Sequence, residues 1–580
     1  MKNLTDIKNQ SIIVMVALLL TGCSNSFLDR PPLDNIVDAN FYQTDDQVMS
    51  STALLYSKVW FDYNDKASFG LADFRGGSAM AQWNWADNVK FATTPQAAEN
   101  AQAWRAFFNV IGQANTARAN IERYAGPAVS EKVKNEAIGE THFMHALAYR
   151  YLVMNYGPVP IITDNQKLLT EPLSVKSNTI SSVWKFVCTE MRQAVDELPE
   201  TPYAVGRISK WSAEGMLARF YLTRAGVESE NGQRNQQFLD SAKYYAERVI
   251  KLSGKTLLSN YRDLFLYDYD NNNESLFELQ WVYIPVGYYF YANSTISQIA
   301  PGPTITGNGD GWGTDFSATF WMLSQYEGIV PYGVTGDTLQ GRTLDQRLKE
   351  TFMMPGFVYP EITRTVGGVD QKPFVYPNNT LGNSLDGAID NGTSPASIKK
   401  YVIGQPKDVG GQSGFQDYPN NTYMMRLAEI YLIYAEAALG NQGSTTDPTA
   451  LQYFNAVHTR AGLPLYDVSA QGQGPLTWDR IFRERCCEFA MEATIWYDLV
   501  QLHYWNPQKA FDIINSQYRG LFLIQPDVFP NPTKWTISKT SWTTITYPNA
   551  NEGNFLLPLP AAEVTGAPNL LEPPVDYYAQ

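Results

Sequence analysis

Between about residues 97 and 252, apolar positions recur three and four apart, the spacing of helices with one buried face. Residues 178–198 put Val183, Phe186, Val187 and Met191 on one side and stop before Pro199. Residues 209–226 open on Ser209, a capping residue, carry Met216, Leu217, Phe220 and Tyr221, and end at Gly226. One texture recurs at residues 146–152, 217–222 and 430–435, where alanine and leucine alternate with tyrosine or phenylalanine. Residues 427–439 and 449–461 read as a single helix hairpin. Small residues let paired helices approach while aromatics fill the seam, the construction of tetratricopeptide-type repeats, here without a strict period. About three or four such hairpins are predicted.

The pattern changes between about 260 and 420, where Gly, Asn, Pro, Thr and Tyr dominate around a strand-like piece at 275–283. Ordered loop-rich segments of this length are uncommon unless they serve function. The predicted fold is therefore mainly α. A helical scaffold over 45–260 begins with a helix near 45–59 and a Gly/Asp/Asn/Trp-rich loop at 61–95. A loop-rich, partly β insertion follows over 261–421, helices return over 422–515, and an irregular segment closes the chain over 516–580.

The N-terminus has a different pattern. Lys2 and Lys8 precede an apolar run from Ile12 to Leu20, followed by Thr21, Gly22 and Cys23. The run is too short to span a bilayer and is shaped like a secretory leader. Small residues before a cysteine look like a bacterial lipoprotein cleavage site. The expectation is a signal peptide over 1–22, a lipidated Cys23 and a tether over 23–44. Acyl chains anchor by about 0.8 kcal/mol per buried CH₂. The net charge is −14, and removal of Lys2, Lys8 and Asp6 with the leader makes it −15. An acidic surface argues against nucleic acid or anionic headgroups as partners. Cys188, Cys486 and Cys487 are an odd set without framework spacing and read as small buried hydrophobes.

Catalytic signatures are missing. The sequence holds no Gly-x-Ser-x-Gly elbow, P-loop or His-Glu-x-x-His, and only 4 histidines. His142 and His145 lie three apart on a helix near Glu140, but no matching ligand set accompanies them, so packing is the simpler reading. Glu484, Glu488 and Glu492 form an acidic row, which Arg480 and Arg485 explain as local ion pairs on a scaffold helix. Asp268, Asp270 and Asn272 resemble the start of a calcium loop but lack its sixth-position glycine and twelfth-position glutamate, so they read as a turn into the strand. No enzyme, cofactor or metal site is predicted.

Aromatic content is high, at 13%, and two loops use it alike. Trp83 and Trp85 stand beside Asn88, after Asp73 and Arg75; Trp312 stands on a glycine-rich frame with Asp310. Tyr288, Tyr289 and Tyr291 lie between the two loops in sequence. A sugar ring has an apolar CH face and a rim of hydroxyls, so flat aromatics receive the face while Asp, Asn and Arg bond the rim. The candidate ligand-binding set is Asp73, Arg75, Trp83, Trp85, Asn88, Tyr289 and Trp312.

Motifs along the whole chain resemble the SusD/RagB family of surface nutrient-binding lipoproteins. Cys23 is followed by Phe27-Leu-Asp-Arg-Pro-Pro32 and Asn40-Phe-Tyr42. Tyr156-Gly-Pro-Val-Pro160 and Gly206-Arg-Ile-Ser209 come next, then Arg426-Leu-Ala-Glu429 and Arg460-Ala-Gly-Leu463. Glu484-Arg485, Glu488-Phe-Ala490, Trp496-Tyr-Asp-Leu499 and Leu557-Pro-Leu-Pro560 complete the order. One departure is His145, where the family commonly has arginine. The resemblance implies a helical fold with four tetratricopeptide-like units, outer-membrane surface anchoring, and a SusC-like TonB-dependent transporter as partner. It implies glycan binding through loop aromatics, without cofactor or reaction; Trp85 and Asn88 are similar to a Trp-x-x-Asn element of starch-binding members. The expected function is an oligosaccharide receptor feeding a transporter. Peptide binding in the same role and a surface glycoside hydrolase are the alternatives.

Overall fold

Capping side chains mark where most of the principal helices begin. The computed structural model describes residues 38–81, 85–171, 175–285, 289–377, 395–470, 473–540 and 547–578. The helices are α1 (Asp45–Thr52), α2 (Ala98–Tyr124), α3 (Glu131–Tyr156), α4 (Ile180–Glu197), α5 (Lys210–Val227) and α6 (Gln236–Leu252). After a long interval come α7 (Leu427–Leu439), α8 (Pro448–Arg460), α9 (Trp478–Phe489), α10 (Ile495–His503) and α11 (Pro507–Asn515). Ser130, Thr179 and Thr477 accept the amides of Val133, Ser182 and Arg480 at 3.3, 3.3 and 3.2 Å, and Asp447 accepts that of Ala450 at 2.7 Å. Helix α1 stops at Thr52, short of the expected residue 59; the chain continues in tight turns and then in two wide π-helical segments, Tyr63–Ala67 and Phe69–Asp73. Such widened turns expose backbone groups to partners other than their own helix.

Each helix from α2 to α8 packs on the next, so the scaffold is a continuous stack. Helices α6 and α7 touch although residues 253–426 lie between them, so the insertion hangs from one seam of the stack. The aromatics fill these seams. Phe107 and Tyr151 stack with centroids 5.3 Å apart, Tyr221 and Phe238 at 5.7 Å, Tyr431 and Tyr453 at 5.1 Å. Gly139 shows the close approach: a Cβ there would stand 2.9 Å from Leu198 Cγ. Cys188, Cys486 and Cys487 are free and buried.

Short strands organise the rest: β1 (Ala79–Ala81), β2 (Ser275–Leu279), β3 (Phe316–Ala318), β4 (Ile329–Pro331), β5 (Thr338–Gly341), β6 (Thr422–Arg426), β7 (Phe522–Pro526) and β8 (Trp535–Lys539). β2 and β6 pair antiparallel, and β6 runs directly into α7. A four-stranded antiparallel sheet has the order β7-β8-β5-β4. Part of the segment expected to be irregular, 522–539, therefore supplies two strands to a sheet of the insertion. The Asp268–Asn272 turn is occupied by protein: both Asp270 oxygens accept the Asn421 amide at 3.1 Å, and Asn271 donates its amide to Glu278.

The acidic row begins on α9 and ends beyond it, at Glu492, and its partners are other than those expected. Arg480 pairs with Glu327, and Arg485 with Asp498 and Glu429. Glu484 instead pairs with Arg347 at 2.7 Å and His458 at 2.8 Å, and Glu488 pairs with Arg347, Arg426 and Arg460. Glu492 meets Arg426 and Lys400, both at 2.8 Å. The reason is burial: local pairs on a helix surface remain in water, whereas this row faces the insertion, where only charged partners brought from elsewhere can replace water. Arg347, Lys400 and Glu274 belong to the insertion, so the network joins the insertion to α9.

Candidate functional site

Register brings the two tryptophan loops together. β1 and β3 are antiparallel, with Ala81 opposite Phe316. The Trp85 loop leaves β1 just after Ala81, and the Trp312 loop enters β3 just before Phe316, so both emerge from one end of this ribbon. Their supports are also bonded. Asn64 and Ser294 donate to Asn293 and Asp65 at 3.1 and 2.6 Å, joining the π-helical segment to residues 293–300. Trp312 and Gly313 donate their amides to the Ser297 and Ala300 carbonyls at 2.8 and 2.9 Å.

Trp312 is 40% exposed and meets Phe415, 55% exposed, edge to face with centroids 5.7 Å apart. Asp310 holds the pair in place. It is buried, and its carboxylate accepts the Gln416 amide at 2.9 Å and the Tyr418 hydroxyl at 3.0 Å, tying residues 307–313 to 414–418. Fixed flat rings left in solvent are an uncommon arrangement, because the same area buried in a seam would contribute to stability. Phe415 was not among the sequence candidates. Its signal is the frame Gly410-Gly411-Gln-Ser-Gly414, similar in kind to the glycines around Trp312.

Trp85 is half-buried and takes φ 66°, a left-handed conformation uncommon for a bulky residue. Its ring packs edge to face on Phe69 at 5.5 Å and lies across Gly70, where a Cβ would stand 2.8 Å from Trp85 Cε3. Gly70→Ala is therefore expected to displace the Trp85 ring. Near-ultraviolet circular dichroism would register the change while far-ultraviolet spectra stay the same; identical near-ultraviolet spectra would contradict this seating.

Three polar candidates are supports instead of ligand contacts. Asp73 is 2% exposed and accepts from Ser78 Oγ at 2.7 Å and from the amides of Met491 and Ala493 at 2.9 and 3.1 Å. Burial pushes its carboxyl up to about 7 against those donors. Arg75 is enclosed between Phe91 and Trp496, at 4.2 and 4.5 Å, and donates to the carbonyls of Asn554 and Phe555. Asn88 is fully buried, donating to Glu99 and accepting from Thr93. All three are buried and make these bonds inside the protein, with Arg75 Nε sealed off without a hydrogen-bond partner, so in this conformation they do not meet a sugar rim in solvent. They fix the loop that presents Trp85. Tyr289 begins a short helical turn, Tyr289–Tyr291, beside the exposed Phe290, which packs on Phe61 at 5.0 Å. Trp83, Tyr288 and Cys23 lie outside the described residues. His142 and His145 both place Nδ1 on Glu190 Oε2, at 3.1 and 2.7 Å, and Arg118 adds a third contact at 2.9 Å. Burial works against the Glu190 charge, but its contacts with His145, His142 and Arg118 outweigh it and hold the carboxyl well below its ordinary range. The two histidines thus lock α3 to α4.

Residues 273–575 match a family described as SusD family, and residues 27–222 match one described as starch-binding, associating with outer membrane. The chain belongs to the SusD family. A SusD-like protein of Bacteroides ovatus is 35% identical, covering 98% of this chain and 97% of its own length. The starch-binding protein SusD of Bacteroides thetaiotaomicron is 24% identical over 56% of this chain and 58% of its own. A crystal structure described as containing xylogluco-oligosaccharide matches with TM-score 0.77 and 31% identity, covering 92% of this chain and 99% of that one. A laminarin binding SusD-like protein matches with TM-score 0.60 and 21% identity over 91% and 98%, a likeness of fold. The helix stack with short strands seen here is thus the SusD architecture.

Proposed function

We propose that this SusD-family protein is a non-catalytic oligosaccharide receptor, lipid-anchored through Cys23 to the outer membrane, that passes its ligand to a SusC-like TonB-dependent transporter. The observation that carries the reading is the exposed Trp312–Phe415 pair, pinned by Asp310 on the ribbon end from which the Trp85 loop also rises. Rigid aromatic faces in solvent suit the CH face of a sugar ring, and hydroxyl rims tolerate the surrounding water. The anchor rests on the leader pattern before Cys23; among the described residues, no helix is long and apolar enough to cross a membrane. The likeness to the structure with xylogluco-oligosaccharide makes substituted β-glucans the first ligands to try.

Calorimetry against xyloglucan, laminarin and starch oligosaccharides, with a mixed peptide pool as comparison, tests the reading. Binding to at least one glycan without release of reducing ends is expected. Binding confined to peptides would move the protein to the peptide-receptor alternative, and release of reducing ends would overturn the non-catalytic assignment.

A further inference from the structure

Among the described residues, one buried arginine has aromatic rings for partners but no hydrogen-bonded or ionic one. Arg150, on α3, is 5% exposed and makes no hydrogen bond or ion pair with the described residues. Its guanidinium lies between Tyr151 and Tyr497, 4.7 and 4.3 Å from the ring centroids. Rings satisfy the faces of the cation but not its edge, where the N–H donors lie. Nε is sealed off without an acceptor, and the residue borders a cavity of about 40 Å³ on one side and one of about 10 Å³ on another.

The neighbouring charges show what Arg150 lacks. Arg75 and Arg519 also have no carboxylate, yet both donate to backbone carbonyls. Arg219 holds Glu429 and the Met424 carbonyl. Every carboxylate bordering the two cavities is engaged elsewhere. Asp73 accepts from Ser78, Met491 and Ala493, and Glu492 pairs with Lys400 and Arg426. Glu429 pairs with Arg219 and Arg485, Asp498 with Arg485, and Glu436 with Arg234. Glu429, on the wall of the smaller cavity, lies in the field of Arg150 but gives its oxygens to Arg219 and Arg485, so the N–H edge of Arg150 is left without an acceptor, which is costly in a buried place.

We infer that the larger cavity is a binding site for a small inorganic anion of halide size, which pairs with the edge of Arg150. A second donor is at hand: Tyr401 lines the same cavity, and its hydroxyl accepts the Tyr423 amide at 3.3 Å and donates to no described group. Asn293 and Thr295 add to the polar wall, which also holds Arg219 and the carboxylates of Asp73 and Glu492, both already bonded within the protein. A volume of about 40 Å³ has room for about three waters, or one halide with a water. The anion fastens the π-helical segment, α3 and residues 491–494 to one another, behind the wall on which Trp85 rests. This site is independent of any ligand held by the exposed rings.

Thermal unfolding of the purified protein in sodium chloride and in sodium gluconate, at equal ionic strength, tests the inference, because gluconate is too large for the cavity. Chloride is expected to raise the Tm by about 1–3 °C. Halide-free crystals soaked in bromide are expected to show an anomalous peak beside the Arg150 guanidinium. Arg150→Gln is expected to lose both effects. Equal melting in the two salts, a bromide map with nothing beside Arg150, or a salt difference retained in Arg150→Gln would each overturn the site. If Arg150→Gln does not fold, the salt pair and the bromide map on the unaltered protein still decide.

Discussion

Trp312→Ala is expected to weaken oligosaccharide binding by about 30-fold or more while leaving the fold intact. The ring is 40% exposed and its loop is held by backbone bonds and by Asp310, so removing the side chain takes no support from the scaffold. Aromatic anchors at binding sites commonly contribute about 2 kcal/mol or more, and each 1.4 kcal/mol is about a factor of ten in affinity. Phe415→Ala is expected to have a smaller effect in the same direction, since that ring also sets the angle of Trp312. Tyr332→Ala is the comparison: this tyrosine is 57% exposed, beyond the end of β4, and its loss should leave affinity unchanged. Calorimetry with a glycan the unaltered protein binds gives the answer. Affinity untouched by Trp312→Ala would remove these rings from the site.

Glu488→Ala is expected to be the most damaging single change to stability. Its carboxylate is fully buried and meets Arg347, Arg426 and Arg460 together. Removing one partner of a buried ion pair typically costs about 3–5 kcal/mol, because the cations left behind have no water to turn to. Glu247→Ala, which removes the exposed pair with Lys251 on α6, should by contrast leave the denaturation midpoint unmoved. The same network sets an acid limit. Burial would raise the Glu488 carboxyl, but the three arginines outweigh it and hold it far below its ordinary range. Glu484 is likewise drawn down to about 2, against burial, by Arg347 and His458. Unfolded glutamates titrate near about 4.3, so below that pH the unfolded chain takes up protons that the folded one refuses. The contribution of these groups is thus fully present above about pH 5 and is lost as pH falls toward about 2. Denaturation midpoints that stayed constant from pH 5 to about pH 3 would contradict this assignment.

What the sequence made legible was local. Helix periodicity, Ser209 before α5 and Thr179 before α4 are decided within a turn or two of chain, and the structure has α4 and α5 within two residues of their expected limits. Pairings across the chain were not legible. The Glu484–Glu492 row gave the same pattern whether its partners were four residues away or in the insertion, because helical spacing records only the near neighbours. Strands β7 and β8 were not legible because, although they pair with each other, the sheet that fixes them is joined through β8 to β5, nearly two hundred residues earlier. The tryptophan loops were found because Trp beside Asn and Asp in a glycine-rich stretch is unusual. Yet the same reasoning placed Asp73, Arg75 and Asn88 in solvent. Asp73 and Arg75 are engaged by Met491, Ala493 and the carbonyls of Asn554 and Phe555, distant segments that close over the base of the loop, while Asn88 is held by the nearby Thr93 and Glu99.

Because α6 and α7 are neighbours in the stack, the two ends of the insertion are held about 8–10 Å apart whatever lies between them. The seam therefore acts as a socket, and the scaffold need not be redesigned when the lobe plugged into it changes. The charge network sets what such a plug must bring. A transplanted lobe without equivalents of Arg347 and Lys400 would take one cation from each of Glu484, Glu488 and Glu492, leaving them to His458, Arg426 and Arg460 of the scaffold. Under the proposed function, loops such as those around Trp312 and Phe415 can then vary while the pins Arg347–Glu484, Arg347–Glu488 and Lys400–Glu492 hold the base of the lobe on α9 and the residues after it.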